Sequence, residues 1–448
     1  MKTTFTHILC SFVVVFASIR GLFVYHLGFP SSITYTISAL MALGLGVFSL
    51  LLLLRSRLDV PLVFFKNAVI LNVIFFTYFI FTSLLIAVAA GGSPSGLLSI
   101  IYFFLIFPTI FLFIRFDDKL LTYIVYIISV ITVFGVYYFF NLALSSGIDS
   151  IIEAHQTLRP GGVAYSRLGL NLLPFGYAGS HHDTANILVM CGIFFLTKFF
   201  ICNHGIKSLL YISCYIVILS ATLLTGSAAN VLVLILMSIV SLFYYIRKSP
   251  TTMLFSLSLL LALMVIIASV IVSMDFTELF RLAYVFSKFN PETIDEALFA
   301  SLDAQSVKDS MMSVVFGFGE PLNAPLIQSE VAFVSLISRF GILTFITLMV
   351  IGFLPIYYFC VFRLNRIRRI EFLKRNLSEY LTTHFILDSR VQKYRLFNLA
   401  MPVLAGSMTL IHYGSVFRIT SILLFCVLFS IFLKEYLSVH QDMTRVGF

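Results

Sequence analysis

Residues 184–246 read TANILVMCGIFFLTKFFICNHGIKSLLYISCYIVILSATLLTGSAANVLVLILMSIVSLFYYI, three apolar stretches in succession with turns of a few residues between them. The stretches near 184–201, 207–225 and 229–246 each have the length of a bilayer-spanning helix, which takes roughly 17 to 25 predominantly apolar residues. In lipid the backbone must satisfy its own hydrogen bonds, so such stretches become helices. The two turns differ in charge. Lys198 and Lys207 bracket the first, whereas Thr225-Gly226-Ser227 in the second is uncharged and small enough to let helices approach closely.

The same pattern extends in both directions. The spacing predicts an all-α polytopic membrane protein of about twelve spans, near 8–27, 33–54, 68–90, 97–114, 120–142, 184–201, 207–225, 229–246, 251–273, 331–361, 396–411 and 416–433. The first stretch has no small-residue cleavage pattern after a short apolar region, so it reads as a retained span. The stretch 331–361 contains Arg339 and Gly341. It reads either as one tilted helix or as a short segment leading into a normal span. With 60% hydrophobic and 11% charged residues, an ordinary soluble enzyme is excluded.

The net charge of +9 would suggest nucleic acid in a soluble protein. Here the cations sort by loop instead. One set of turns carries Lys2, Arg55, Arg57, Lys66, Arg115, Lys119, Lys198, Lys207, Arg247, Lys248, a run from Arg363 to Arg395, Lys434 and Arg445. The other set carries Arg159, Arg167, Arg281, Lys288, Lys308 and, at its edge, Arg339. The positive-inside rule then places both termini in the cytoplasm and two enlarged loops, 143–183 and 274–329, outside. The basic stretch 362–395 reads as an amphipathic cytoplasmic loop that anchors topology and touches anionic lipid. No nucleic-acid partner follows. None of the six cysteines lies in the long loops, so no disulfide framework follows either.

Most of the unusual chemistry lies in the two outer loops. The first places Arg159 beside Pro160-Gly161-Gly162, then Arg167, His181-His182, Asp183 and Asn186. Glycine permits close backbone approach, and a guanidinium fork matches phosphate oxygens, so Arg159 and Arg167 are candidates for holding an anionic lipid carrier. Pairing with Glu153 or snorkelling to headgroups are the alternatives for these cations. Neighbouring histidines do not share a helix face, and no third ligand stands at a diagnostic spacing, so no metal site is expected. One histidine as a base or hydrogen-bond donor oriented by Asp183 fits better, with helix capping as the other use of Asp183. Asn186 reads equally as a ligand contact and as a cap. The second loop contributes Arg281 and ends in Phe316-Gly317-Phe318-Gly319-Glu320. Glu330 and Arg339 follow at the membrane edge, where a charge should face protein or a wet cavity. His412, Tyr413 and Arg418 stand around the last outer turn and could complete the rim.

Taken in order, LRPGG…SRLGLN…HHDTANILVMCGIFFL, LSATLLTGSAANVLVLILMSIV, VVFGFGEPLNAP…SEVAFVSLISRFGILTFITLMV and LIHYGSVFR resemble the polysaccharide polymerase and O-antigen ligase superfamily. The likeness is greatest to the Wzy-type O-antigen polymerases. The resemblance implies a metal-independent, cofactor-free inverting glycosyltransferase at the periplasmic face of a bacterial inner membrane. It would join undecaprenyl-pyrophosphate-linked repeat units, with a separate protein regulating chain length. Arg159, Arg167, Arg281 and Arg339 would then stabilise the diphosphate leaving group. The general base stays open among Glu330, His181, His182, His412 and Asp183. Ligases of this superfamily carry a histidine after the glycine turn of the large loop, where this chain has Gln328 and Glu330. That favours a polymerase over a ligase. A flippase is the other alternative, but no broken-helix pair or equal halves are evident. The spaced Arg and Gly repeats of some polymerases are absent in strict form, and Arg281 lacks the spacing.

Overall fold

The computed structural model describes residues 2–55, 62–71, 73–74, 105–158, 176–178, 180–202, 205–246, 332–376, 379–410 and 419–445. All regular structure among them is helical. In chain order the helices are α1 (Lys2–Leu27), α2 (Ser31–Arg55), α3 (Leu62–Leu71), α4 (Thr109–Phe113), α5 (Asp118–Leu158), α6 (His181–Ile201), α7 (Gly205–Leu224), α8 (Ala228–Ile246), α9 (Ala332–Asn376), α10 (Glu379–Leu410) and α11 (Ile419–Arg445). Seven of them are long and apolar enough to cross a membrane. The chain is a polytopic helical membrane protein. The expected span 251–273 and most of 68–90 lie outside the described residues. The 331–361 alternatives resolve to one continuous helix, α9.

Two helices form the centre. In the apolar stretch of α6, 89% of the residues are buried, and in that of α11, 78%, against 28–44% for the other spans. Helix α6 touches α5, α7, α8, α10 and α11. Apolar burial from water cannot hold helices together inside lipid, so dense van der Waals packing and hydrogen bonds across helices must do so. Phe194 on α6 and Phe425, Phe429 and Phe432 on α11 are essentially fully buried. Thr420 Oγ1 donates to the Ala17 carbonyl at 2.9 Å, and Ser407 Oγ to the Gly352 carbonyl at 2.7 Å, joining α11 to α1 and α10 to α9.

The expected span 97–114 is described only from residue 105, and there it is broken. Phe107 and Pro108 form a turn before α4, as a proline without an N–H and with a clashing ring dictates. Irregular backbone inside a bundle needs partners from neighbouring helices. Ser430 Oγ supplies one to the Ile110 carbonyl at 3.1 Å, and Cys426 Sγ approaches the Ile106 carbonyl at 3.7 Å. Helix α5 also departs from a single rod: Gly147 adopts φ 81°, ψ −176°, a conformation other residues resist. Beyond it, Ile152, Ala154 and Leu158 pack with Leu22, Tyr25 and Phe139, so this arm folds back over the ends of α1 and α5.

The two ends of the bundle are chemically distinct. At one, Lys434 Nζ pairs with Asp118 at 2.5 Å and donates to the Phe116 carbonyl, and Arg395 Nε pairs with Glu435 at 2.9 Å. Lys198 lies in the last turn of α6 at this end, its ammonium over the Phe194 ring. Phe359 and Phe397 meet edge to face at the same end, with ring centroids 5.7 Å apart. The basic run from Arg363 onward therefore leaves the bundle as continuations of α9 and α10. The opposite end gathers His26, Tyr177, His182 and Ser227.

Candidate functional site

The site is built at the start of α6. Ser180, in extended conformation, is the N-cap residue, and the Thr184 N–H reaches back to the Ser180 carbonyl at 3.0 Å. Asp183 lies in the first turn, where a carboxylate meets the positive end of the helix dipole. It is only 5% exposed. Ser180 holds the N-cap position, with no capping hydrogen bond from its own side chain.

His181 and His182 are brought together more closely than their adjacency in sequence suggests. Their ring centroids lie 3.8 Å apart at 41°. Among the described residues, no three His, Cys, Asp or Glu side chains converge as a metal would require.

His182 reaches across to the α7–α8 turn. Its Nδ1 lies 3.0 Å from Ser227 Oγ, and Asn230 Nδ2 donates to the same oxygen at 2.8 Å. Asn230 Nδ2 also lies 3.5 Å from the His182 carbonyl. Ser227 is positioned by a turn in which Gly226 has φ 66° and its N–H bonds the Leu223 carbonyl at 3.1 Å. Two proton arrangements satisfy this chain. If Nδ1–H donates to Ser227, Nε2 carries the lone pair and can act as a base; if the Ser227 hydroxyl donates to Nδ1, Nε2 is a donor.

One helical turn below His182 is Asn186, which faces the same side of α6. It is fully buried, and neither its Nδ2 nor its Oδ1 has a hydrogen-bond partner among the described residues. Asn230 Oδ1 is likewise unpartnered. Leaving such groups unpaired costs about 1–3 kcal/mol each.

A second anchor holds the niche in place. The short 3-10 turn Gly176–Ala178 precedes α6, and a side chain at Gly176 would meet Thr184 at 3.0 Å. Tyr177 is wedged behind it. A Cβ at Gly21 would lie 2.0 Å from the Tyr177 carbonyl oxygen, and one at Gly135 would lie 2.7 Å from its ring. His26 Nε2 and the Tyr177 hydroxyl are 2.6 Å apart. Burial, with Tyr138 and Tyr25 beside it, pushes the Tyr177 phenol up to about 12, so the hydroxyl keeps its proton at neutral pH.

Of the residues singled out in the sequence, the structure brings together His181, His182, Asp183 and Asn186. Arg339 lies two turns into α9, and only its backbone place is described. Arg159, Arg167, Arg281, Glu330, His412, Tyr413 and Arg418 lie outside the described residues. Sequence reasoning missed Ser227 as a histidine partner, and Asn230, Tyr177 and His26 altogether. An asparagine in the apolar run after Ser227 is the one signal that could have found the pair, because a lone amide in a span is expensive.

Comparison with protein-family models, with curated proteins and with solved structures finds no match to this chain.

Proposed function

We propose that the protein is an O-antigen polymerase: a metal-independent inverting glycosyltransferase that joins undecaprenyl-pyrophosphate-linked oligosaccharide repeat units. In this reading it has about twelve spans and both termini in the cytoplasm. The histidine end then faces the periplasm of a bacterial inner membrane. The observation that carries the reading is the polar niche at the end of the bundle opposite the ion-paired basic end, built at the start of the helix that follows Arg159 and Arg167 in the sequence.

The chemistry asks little of the protein. The anomeric carbon of the growing chain breaks its bond to the lipid diphosphate and forms one to a hydroxyl of the incoming unit. The hydroxyl proton goes to a base and the electron pair to the diphosphate. Arg159, Arg167, Arg281 and Arg339 are assigned to the developing negative charge, worth most where water is excluded. His182 is assigned the base role, because Ser227 and Asn230 orient its ring and its Nε2 can hold the lone pair. Asn186 and Asn230 are assigned to sugar hydroxyls. His181 and Asp183 complete the rim with His412, Tyr413 and Arg418, and Glu330 is the alternative base.

A transporter or flippase gains one specific observation, the helix break at Phe107–Pro108. Broken helices in transporters offer free backbone groups to their cargo. Here the carbonyls of Ile106 and Ile110 already face Cys426 and Ser430, which weakens that reading. The three activities leave different residues in a cell lacking the protein. A polymerase leaves glycolipid bearing a single repeat, a ligase leaves full-length chain on carrier lipid, and a flippase leaves untranslocated repeat. Single-repeat glycolipid is expected, and either other product would overturn the assignment.

A further inference from the structure

Three rings crowd the histidine end beside the niche without belonging to it. Tyr25 and His26 end α1, and Tyr138 comes from α5. The centroid distances are 5.0 Å for Tyr25–His26, 5.1 Å for His26–Tyr138 and 5.8 Å for Tyr25–Tyr138, all steeply inclined. His26 Nε2 meets the Tyr177 hydroxyl at 2.6 Å, and the Tyr25 and Tyr138 rings meet edge to face.

This is neither ordinary core nor an ordinary interfacial belt. The rings beneath, Phe139 and Tyr177, are 0% and 3% exposed, whereas His26 is exposed and Tyr25 and Tyr138 are half-buried. Residues of an aromatic belt send their polar tips singly into the headgroup layer. Here two phenol rings and an imidazole face one another around apolar ring surface, the imidazole fixed by the Tyr177 hydroxyl. That combination of flat apolar faces edged by fixed hydrogen-bonding groups suits a sugar ring, which has apolar C–H faces and a rim of hydroxyls.

We propose that Tyr25, His26 and Tyr138 form a carbohydrate-binding platform for the glycan of the lipid-linked substrate. The proposal rests on the polymerase reading. The platform is coupled to the niche by a single turn: Tyr177 holds His26 on one side, and its neighbour Gly176 abuts Thr184 on the other. A glycan extending from the niche therefore crosses these rings, and the platform sets which sugar stands beyond the reacting residue.

The test measures binding, apart from turnover. Full-length protein in lipid nanodiscs is titrated with repeat-unit oligosaccharide released from the lipid-linked pool by mild acid. His26→Ala and Tyr138→Leu are expected to weaken binding roughly three- to tenfold each, the loss of one ring contact. Tyr123→Leu, at an exposed tyrosine on α5 near the basic end, is expected to leave it unchanged. Should Tyr138→Leu fail to fold, the exposed His26→Ala and the conservative Tyr138→Phe, which keeps the ring and loses less affinity, decide alone. Unchanged affinity in His26→Ala, an equal loss in Tyr123→Leu, or no binding by the parent protein would overturn the platform. Ring-dependent binding by a protein that forms no polymer would overturn the polymerase and keep the platform. Polymerisation with ring-independent binding would do the reverse.

Discussion

Asn186 has its side chain wholly withdrawn from solvent, and among the described residues neither amide atom meets a partner. For folding alone, a leucine of similar size would serve better there, since an unpaired buried amide costs about 1–3 kcal/mol. Asn186→Leu is therefore expected to keep or raise the thermal midpoint in detergent while lowering glycan polymerisation about tenfold, the loss of one hydrogen bond to substrate. A fall in both would mark the residue as structural. The candidate site was half legible at this scale. His181, His182, Asp183 and Asn186 stand out because polar residues cluster where a span begins. Ser227 and Asn230 do not, because their partner is 45 residues away in the chain and a serine in a small-residue turn also fits plain helix packing.

Among the elements, the straight spans were readable from hydropathy, but their interruptions were not. The break at Phe107–Pro108 leaves no mark in an apolar count, and the folded-back arm after Gly147 sits in a polar stretch that reads first as loop. Helical spacing at Ile148, Ile151, Ile152 and Leu158 is nevertheless visible there. The break also dictates an unusually close contact: a Cβ at Gly46 on α2 would lie 1.8 Å from the Leu105 carbonyl oxygen, whereas one at Gly44 meets nothing within 4 Å. Gly46→Ala should destabilise the protein by roughly 1–3 kcal/mol through overpacking against backbone. Gly44→Ala should be neutral or stabilising by up to about 1 kcal/mol from helix propensity. Paired thermal unfolding in detergent checks the contrast, and equal effects would refute the close approach.

Over the described residues, two ion pairs gather at one end of the bundle, Lys434 with Asp118 and Arg395 with Glu435. The sorting of cations by loop does not reveal which charge matters mechanically. Lys434 joins two groups of different worth. Asp118 is 59% exposed, so its pair contributes only about 0–1 kcal/mol, whereas the Phe116 carbonyl is a backbone acceptor at the edge of the core, worth about 1–2 kcal/mol to satisfy. Lys434→Ala is thus expected to lower the thermal midpoint more than Asp118→Asn does, and equal losses would assign the stability to the ion pair. The contrast between the two ends of the bundle gives the functional reading its direction, with an ion-paired basic end on one side and a histidine niche with its ring platform on the other. Reconstitution tests that reading most directly: purified protein in lipid, given undecaprenyl-diphosphate-linked repeat units with neither metal nor nucleotide sugar, with products separated by length. The account requires a ladder of longer glycans that His182→Ala greatly reduces. Folded protein that yields no ladder from the correct repeat unit would contradict it.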